Sequence, residues 1–379
     1  MKIVVSPDSF KGSLSSTEVA AAIESGIRKV VNDCEVIKVP LGDGGEGTVD
    51  SLVAATNGKK VEVQVTGPLG TGVNASYGWL GDMKTCVIEM AEASGLNLVP
   101  LDQRNPMVTT TFGTGQLIKH ALDNGCRNFI LAVGGSATND GGAGMLQALG
   151  LTLLDSSGNE IGYGGQELIK ISKIDDHAFD PRIKESQFLI ASDVQNPFIG
   201  KHGASHVFGP QKGATPEMVE TLDRYLTHWA DLIQQYNGIS IHQLPGAGAA
   251  GGIGGAFQAF FPSSMRRGID IVIEYTGLAD KMENSDLVFT GEGQIDFQTA
   301  SGKTPMGVAQ EAQKLGIPTI VLAGSIGKGI DVLYQYGITS IHSIVNKPMS
   351  LEEAMTNARE LIEQAAEQTI RVFIQNYNK

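Results

Sequence analysis

Short apolar runs alternate with amphipathic stretches along most of the chain. Lys2–Val5 is a brief apolar run and predicts a strand. Ser15 then reads as an N-cap, with Glu18 three residues on as its capping-box partner. Val19, Ala22, Ile23, Ile27 and Val30 follow at helical spacing. Cys34–Pro40 predicts a second strand, which leads through the glycines of 42–47 into a helix over 48–56 that stops at Asn57-Gly58. Lys59–Val65 and Val73–Leu80 alternate apolar and polar residues, as antiparallel strands do. Further strands are predicted over 85–90, 128–133, 187–192, 287–290 and 319–323. Helices are predicted over 115–124, 143–149 and 216–235, and from about Ser350 toward the C-terminus.

Strands that alternate with helices predict α/β layers with largely parallel sheets. Ligands of such sheets sit beyond the carboxyl ends of the strands, where this chain carries its glycine-rich turns. The two chain ends read as parallel α/β, whereas the middle holds the alternating strands. The expected organisation is two α/β domains. A discontinuous Rossmann-like domain would span 1–68 plus 285–379, and a mixed α/β domain inserted in it would span 69–284. The active site would lie in the cleft between them.

Composition narrows the function classes. With 379 residues, 41% hydrophobic and 18% charged, the chain can bury a substantial core and is not a disordered one. The formal charge of 28 − 41 = −13 disfavours a nucleic-acid surface. Anionic ligands would have to be met by local lysines, backbone N–H groups or a metal ion. Three separated cysteines make neither a disulfide framework nor a zinc site. The four-residue apolar stretch near the N-terminus falls short of a signal sequence, and no run reaches membrane-spanning length, so a cytoplasmic protein is expected.

Five segments carry candidate chemistry. Ser6–Ser13 joins a strand to a helix and offers Asp8 as metal ligand or base, with Lys11 as a compact positive charge. Leu41–Thr48 sets Asp43 and Glu46 among four glycines, a hard-oxygen pair suited to magnesium. Gly134–Gly142 presents hydroxyls, an amide and N–H groups able to cradle a phosphate or carboxylate. Ser192–Pro197 puts Asp193 at the end of a buried strand, where an acid needs a partner or a task. Thr290–Thr304 offers Glu292 and Asp296 as oxygen ligands. Its Lys303 stands beside a helix start that Thr304 would cap and Pro305 would open. Each segment could instead be an ordinary capped turn. Gly302-Lys303-Thr304 resembles the tail of a P-loop, but Phe297 stands where the first glycine must be.

Other readings are weaker. Gly246–Gly251 matches GxGxxG, but the stretch before it has little strand character and ends in Pro245. The seven histidines show no metal-binding spacing, and no GxSxG elbow exists.

Together the motifs resemble the bacterial glycerate kinases of the type I class over nearly the whole chain. The resemblance rests on SPDSFKGSLS at 6–15, DGGEGT at 43–48, GGSATNDGG at 134–142 and SDVQNP at 192–197. It continues through GPQKGAT at 209–215, GAGAAGG at 246–252 and TGEGQIDFQTASGK at 290–303. Gly42 stands where alanine is usual and Phe198 where leucine is, and neither change removes a charged candidate. The resemblance implies transfer of the ATP γ-phosphoryl group to D-glycerate, usually at the 2-hydroxyl. With that reaction in view, Asp43, Glu46 and Asp296 are expected to hold magnesium, and Lys11 and Lys303 to meet phosphate oxygens. Gly291, Glu292 and Gly293 go with the nucleotide, as do Gly135, Ser136, Thr138 and Asn139, whose turn could take the glycerate carboxylate instead. Asp193 is the first choice of base and Asp8 the second. Lys212 and Arg267 would receive the substrate carboxylate, with Asp140 beside them. Small molecules are the expected partners, and a homo-oligomer is compatible with the sequence. The rivals are a 3-kinase or a kinase of another hydroxy-acid, an NAD-dependent dehydrogenase, and a phosphometabolite-binding protein without catalysis.

Overall fold

The structure, a computed structural model, describes residues 1–42, 44–45 and 47–377. The chain forms two compact units. One comprises Met1–Asp43, Asp50–Ala55 and Gly268–Lys379, and the other Gly44–Val49 and Thr56–Arg267. The strand Lys59–Thr66 pairs antiparallel with Gly72–Trp79 inside the second unit, and helix Gly268–Thr276 falls in the first. The breaks therefore lie earlier than the 68/69 and 284/285 boundaries expected from the change in strand style.

The first unit is built on a five-stranded parallel sheet. Its spatial order is Ile338–Ser343, Thr319–Ile326, Leu287–Ile295, Lys2–Val5 and Glu35–Lys38. Ile3, Val4 and Val5 are fully buried. Each such side chain contributes about 1.5–3 kcal/mol by leaving water. Helix Ser16–Arg28 begins with the Ser15–Glu18 capping box and buries Val19, Ala22, Ile23 and Ile27. Those side chains share a core with Leu361, Ile362, Ala366 and Ile370 of helix Ala358–Tyr377. The C-terminal helical stretch is broken at Asn357, which closes a short helix over Leu351–Thr356. From Lys2–Val5 the chain builds outward to Glu35–Lys38 on one side. From its neighbour Leu287–Ile295 it builds outward the other way. The loops that follow these two central strands thus lie at a topological switch point, where open α/β sheets leave a crevice.

The second unit carries a six-stranded mixed sheet. Its order is Ser263–Arg266, Gln187–Ala191, Asn128–Ala132, Thr85–Glu89, Gly72–Trp79 and Lys59–Thr66. The first four strands are parallel and the last two join antiparallel. The register sets Phe129 beside Phe188, and the two rings stack 4.7 Å apart. Helix Pro216–Asn237, capped by Thr215 and ended by Gly238 in the left-handed conformation, buries Leu226, Trp229 and Ile233 into the same core. Among the described residues no helix is long and apolar enough to cross a membrane.

Candidate active site

In the first unit the two switch-point loops converge. Asp8 N donates to the Gly291 carbonyl (2.9 Å) and Ser6 N to Phe289 (2.7 Å), so the chain beyond Val5 continues along the neighbouring strand. That strand runs to Ile295, five residues past its predicted end at Thr290. Gly291 and Gly293 are therefore strand residues and not a turn. At Gly291 a Cβ would lie 2.3 Å from the Leu322 carbonyl oxygen, so glycine is what lets the two strands meet. Asp8 is buried; Oδ1 accepts from Ser9 N (2.6 Å) and Oδ2 from the Thr304 hydroxyl (2.8 Å). Glu292, also buried, accepts from Thr299 Oγ1 (2.6 Å) and lies 3.4 Å from Lys303 Nζ. Lys303 itself takes the N-cap position of helix Thr304–Lys314, with Pro305 in the first turn. The expectation that Thr304 caps this helix is corrected, because its hydroxyl is committed to Asp8. Asp8, Lys11, Glu292, Gly293 and Lys303 line a cavity of about 520 Å³, within the range of small-molecule sites.

Asp296, expected as a metal ligand, caps the short helical turn Phe297–Ser301. Its Oδ1 accepts from Gln298 N (2.8 Å) and its Oδ2 from Gln294 Nε2 (3.2 Å). Asp43 and Glu46 lie outside the described residues. Among the described residues no three His, Cys, Asp or Glu side chains cluster as a metal centre.

In the second unit the carboxyl ends of the parallel strands bring the other candidates to one rim. The turn 134–142 follows strand Asn128–Ala132, and Ser192-Asp193 follows its neighbour Gln187–Ala191. Arg267 follows the next strand, Ser263–Arg266, and Ser192 N donates to the Arg266 carbonyl (3.0 Å). Asp193 is exposed and not buried as its place after an apolar strand suggested. The strand ends at Ala191, so the chain has already left the core by Asp193. Arg267 is exposed as well.

Most of the turn's polar side chains face inward. Thr138, Asn139 and Asp140 are fully buried, and Lys212 is 1% exposed. Asp140 Oδ2 accepts from Thr111 N (2.9 Å) and Thr111 Oγ1 (2.8 Å), and its Oδ1 accepts from Gly142 N (3.2 Å). Burial pushes its carboxyl above the usual range, opposed by these donors. Lys212 Nζ donates to Ser136 Oγ and to the Thr138 carbonyl, both at 2.7 Å. Burial pulls its ammonium down to about 7, opposed by the charge of Asp140. Trp229 Nε1 donates to the Gly141 carbonyl (3.2 Å), and Gly141 N to Gly251 (3.0 Å). Thr138, Asn139, Asp140 and Lys212, expected to meet a ligand, are thus closed to solvent. Asp140 and Lys212 brace the turn through these bonds and Asn139 Nδ2 donates to Ser205 Oγ (2.9 Å), whereas Thr138 Oγ1 and Asn139 Oδ1 are buried without a hydrogen-bond partner. Gly134 and Gly135 are the residues of the turn left exposed, with Ser136 at their edge.

The GxGxxG segment is not a dinucleotide fingerprint. No strand precedes it within 238–248, and Ala250, Gly251 and Gly252 adopt left-handed backbone at the start of helix Ala249–Phe260. A Cβ on Gly251 would sit 2.0 Å from the Thr138 carbonyl oxygen, so the segment serves to support the 134–142 turn.

Sequence reasoning missed the role of Thr299 and Thr304, whose hydroxyls bond the two buried carboxylates. It also missed Glu89, a buried carboxylate at the end of strand Thr85–Glu89 that accepts from Val49 N (2.8 Å) at the start of helix Thr48–Thr56. An acid closing an otherwise apolar strand was the signal available for Glu89.

Compared with known proteins, the chain matches the model of the glycerate kinase family over residues 3–374. It is 50% identical over 366 residues to a glycerate kinase of Bacillus subtilis, covering 97% of this chain and 96% of that protein. It is 49% identical over 358 residues to the glycerate 2-kinase of Escherichia coli K12, covering 94% of each. A crystal structure described as a glycerate kinase 2 from Salmonella typhimurium LT2 matches with a TM-score of 0.90 and 48% identity, covering 100% of both chains.

Proposed function

The chain belongs to the glycerate kinase family, and from that premise we propose that it transfers the γ-phosphoryl group of ATP to the 2-hydroxyl of D-glycerate. The observation that carries this reading is near-complete coverage by relatives about half identical, one of them named as a 2-kinase. Phosphoryl transfer asks the protein mainly for positioning and charge neutralisation. Lys303, beside a helix start, and Lys11, on the wall of the same cavity, suit the phosphates. The exposed amides of Gly134 and Gly135, the Ser136 hydroxyl and Arg267 suit the glycerate carboxylate.

The hydroxyl oxygen attacks the γ-phosphorus, the bond to the β–γ bridging oxygen breaks, and ADP leaves. Asp193 takes the hydroxyl proton. Magnesium favours one or two carboxylates together with substrate phosphates and water, not a full protein cage. Asp8 and Glu292 fit that requirement, as buried carboxylates on the cavity wall with threonine hydroxyls beside them. Those two carboxylates would hold it. When bound, magnesium would neutralise charge on the phosphates.

The test is incubation of pure protein with ATP, magnesium and D-glycerate, with the product identified by phosphorus NMR. 2-Phosphoglycerate and ADP are expected. 3-Phosphoglycerate would transfer the reading to a 3-kinase, and bound ligand without ADP would leave a binding protein.

A further inference from the structure

The lining of the first unit's cavity is of two chemically different kinds. One comprises Asp8, Lys11, Glu292 and Lys303. The other is an aliphatic wall of Ile344, Val345, Leu351 and Met355, contributed by the chain after the edge strand Ile338–Ser343 and by the short helix Leu351–Thr356. Ile344 is buried, but Leu351 is 77% exposed and Val345 37%, so apolar surface stands open to water at the cavity mouth. The wall is held in place. Ile344 N donates to the Ala323 carbonyl (2.9 Å), and Ser13 Oγ to the Met355 carbonyl (2.7 Å). The second contact ties the short helix to the loop that carries Lys11.

The ligand such a lining fits combines a flat apolar face with several negative charges. Glycerate has three carbons and no apolar face, and would leave the wall uncovered. We infer that the Ile344–Val345 segment and the Leu351–Met355 helix form the base subsite for a purine nucleoside triphosphate, whose phosphates extend toward Lys11 and Lys303. This rests on the reading of the protein as an ATP-dependent kinase and adds where, and by what forces, the base is held. The branched aliphatic side chains cover the ring faces, and the Met355 thioether adapts to the ring edge. A two-ring purine buries more apolar area than a one-ring pyrimidine, so the wall selects purines by size.

The experiment compares the whole protein with Val345→Asp and Leu351→Asp. Both positions are open enough to accept the change without unfolding. Leu101→Asp, at an exposed position in the second unit, is the control. The expected result is an ATP KM raised at least about tenfold in Val345→Asp and Leu351→Asp, with the glycerate KM within about twofold, and neither moved in the control. ATP should outperform CTP and UTP by at least about tenfold in kcat/KM. Calorimetric titration with a non-hydrolysable ATP analogue reads the same subsite without turnover and should show a matching loss of affinity. Unchanged analogue binding in both variants, or equal use of CTP, would overturn the subsite while leaving the kinase reading intact. Analogue binding weakened by the variants, in a protein that makes no phosphoglycerate, would uphold the subsite and overturn the kinase reading.

Discussion

Behind the 134–142 turn, Lys212 and Asp140 share a region closed to water, and each alters the cost of the other's charge. An unfolded lysine titrates near about 10.4, whereas burial brings Lys212 to about 7. Between those values the unfolded chain holds a proton that the fold has released, so this group makes stability rise with pH across that window. The cost of burying the ammonium is full below the lower value and gone above the upper one. Asp140, pushed upward, contributes the opposite slope, from the usual carboxylate value to its raised one. Lys212→Met leaves Ser136 Oγ and the Thr138 carbonyl without their donor, and Asp140 without its counter-charge. Leaving buried polar partners unsatisfied in this way costs about 1–3 kcal/mol. Urea unfolding should show a loss of that order. The gap to wild type should widen between pH 7 and pH 9, by at most about 1.4 kcal/mol per unit. A flat gap would mean that the ammonium is unperturbed. At the rim, Asp193→Asn should lower kcat by about 10²–10⁴, the usual contribution of a general base, and move the ATP KM far less. An unaltered kcat would remove Asp193 as the base. Residue identities made both groups candidates, but the apolar strand before Asp193 misjudged its exposure, and nothing local to Lys212 showed its burial. Asp193 follows a buried strand yet has left it, and Lys212, on the short helical turn Pro210–Lys212, is folded inward.

Among the elements, strand Leu287–Ile295 bears most on the first unit's site. Periodicity stopped it at Thr290, because four polar or glycine residues follow. Tertiary pairing with Thr319–Ile326 continues it to Ile295. A glycine-rich sequence that looks like a turn is here a strand whose missing side chains permit close pairing. Gly291→Ala places a methyl carbon 2.3 Å from the Leu322 carbonyl oxygen and must push the strands apart. A loss of about 1–3 kcal/mol is expected, the range for overpacked sites. Gly293→Ala, whose nearest heavy atom would be 3.6 Å away, should cost under about 0.5 kcal/mol. Chemical denaturation of the pair checks the contrast; equal losses would mean that glycine entropy, and not strand contact, sets both. Helix Ser16–Arg28, by contrast, was legible in full, because its capping box and its apolar spacing are local.

At the scale of the whole molecule, the second unit has a core drawn from within Val65–Phe261, with its own sheet and helices. A chain of residues 56–267 expressed alone should therefore fold cooperatively. Near-ultraviolet circular dichroism and calorimetry would report a single transition. Loss of fixed aromatic signals would show that this core depends on segments outside it. The formal charge of −13 opposes an anionic substrate at long range. In the proposed function, capture rests on local groups such as Lys11, Lys303 and Arg267, whose fields act over about 8 Å at physiological salt.

The sequence by itself determined the α/β class, most strands and helices, and the seven motif blocks whose order marks the glycerate kinase family. Those properties are local, set by periodicity, caps and glycine turns within a few residues. Only the tertiary structure decided which polar side chains are buried and which stand open to solvent. It also set the true length of the central strand, and it brought the apolar wall after residue 343 to the cavity that holds Lys11 and Lys303. Exposure and pairing depend on partners tens to hundreds of residues away, and no window of sequence contains them.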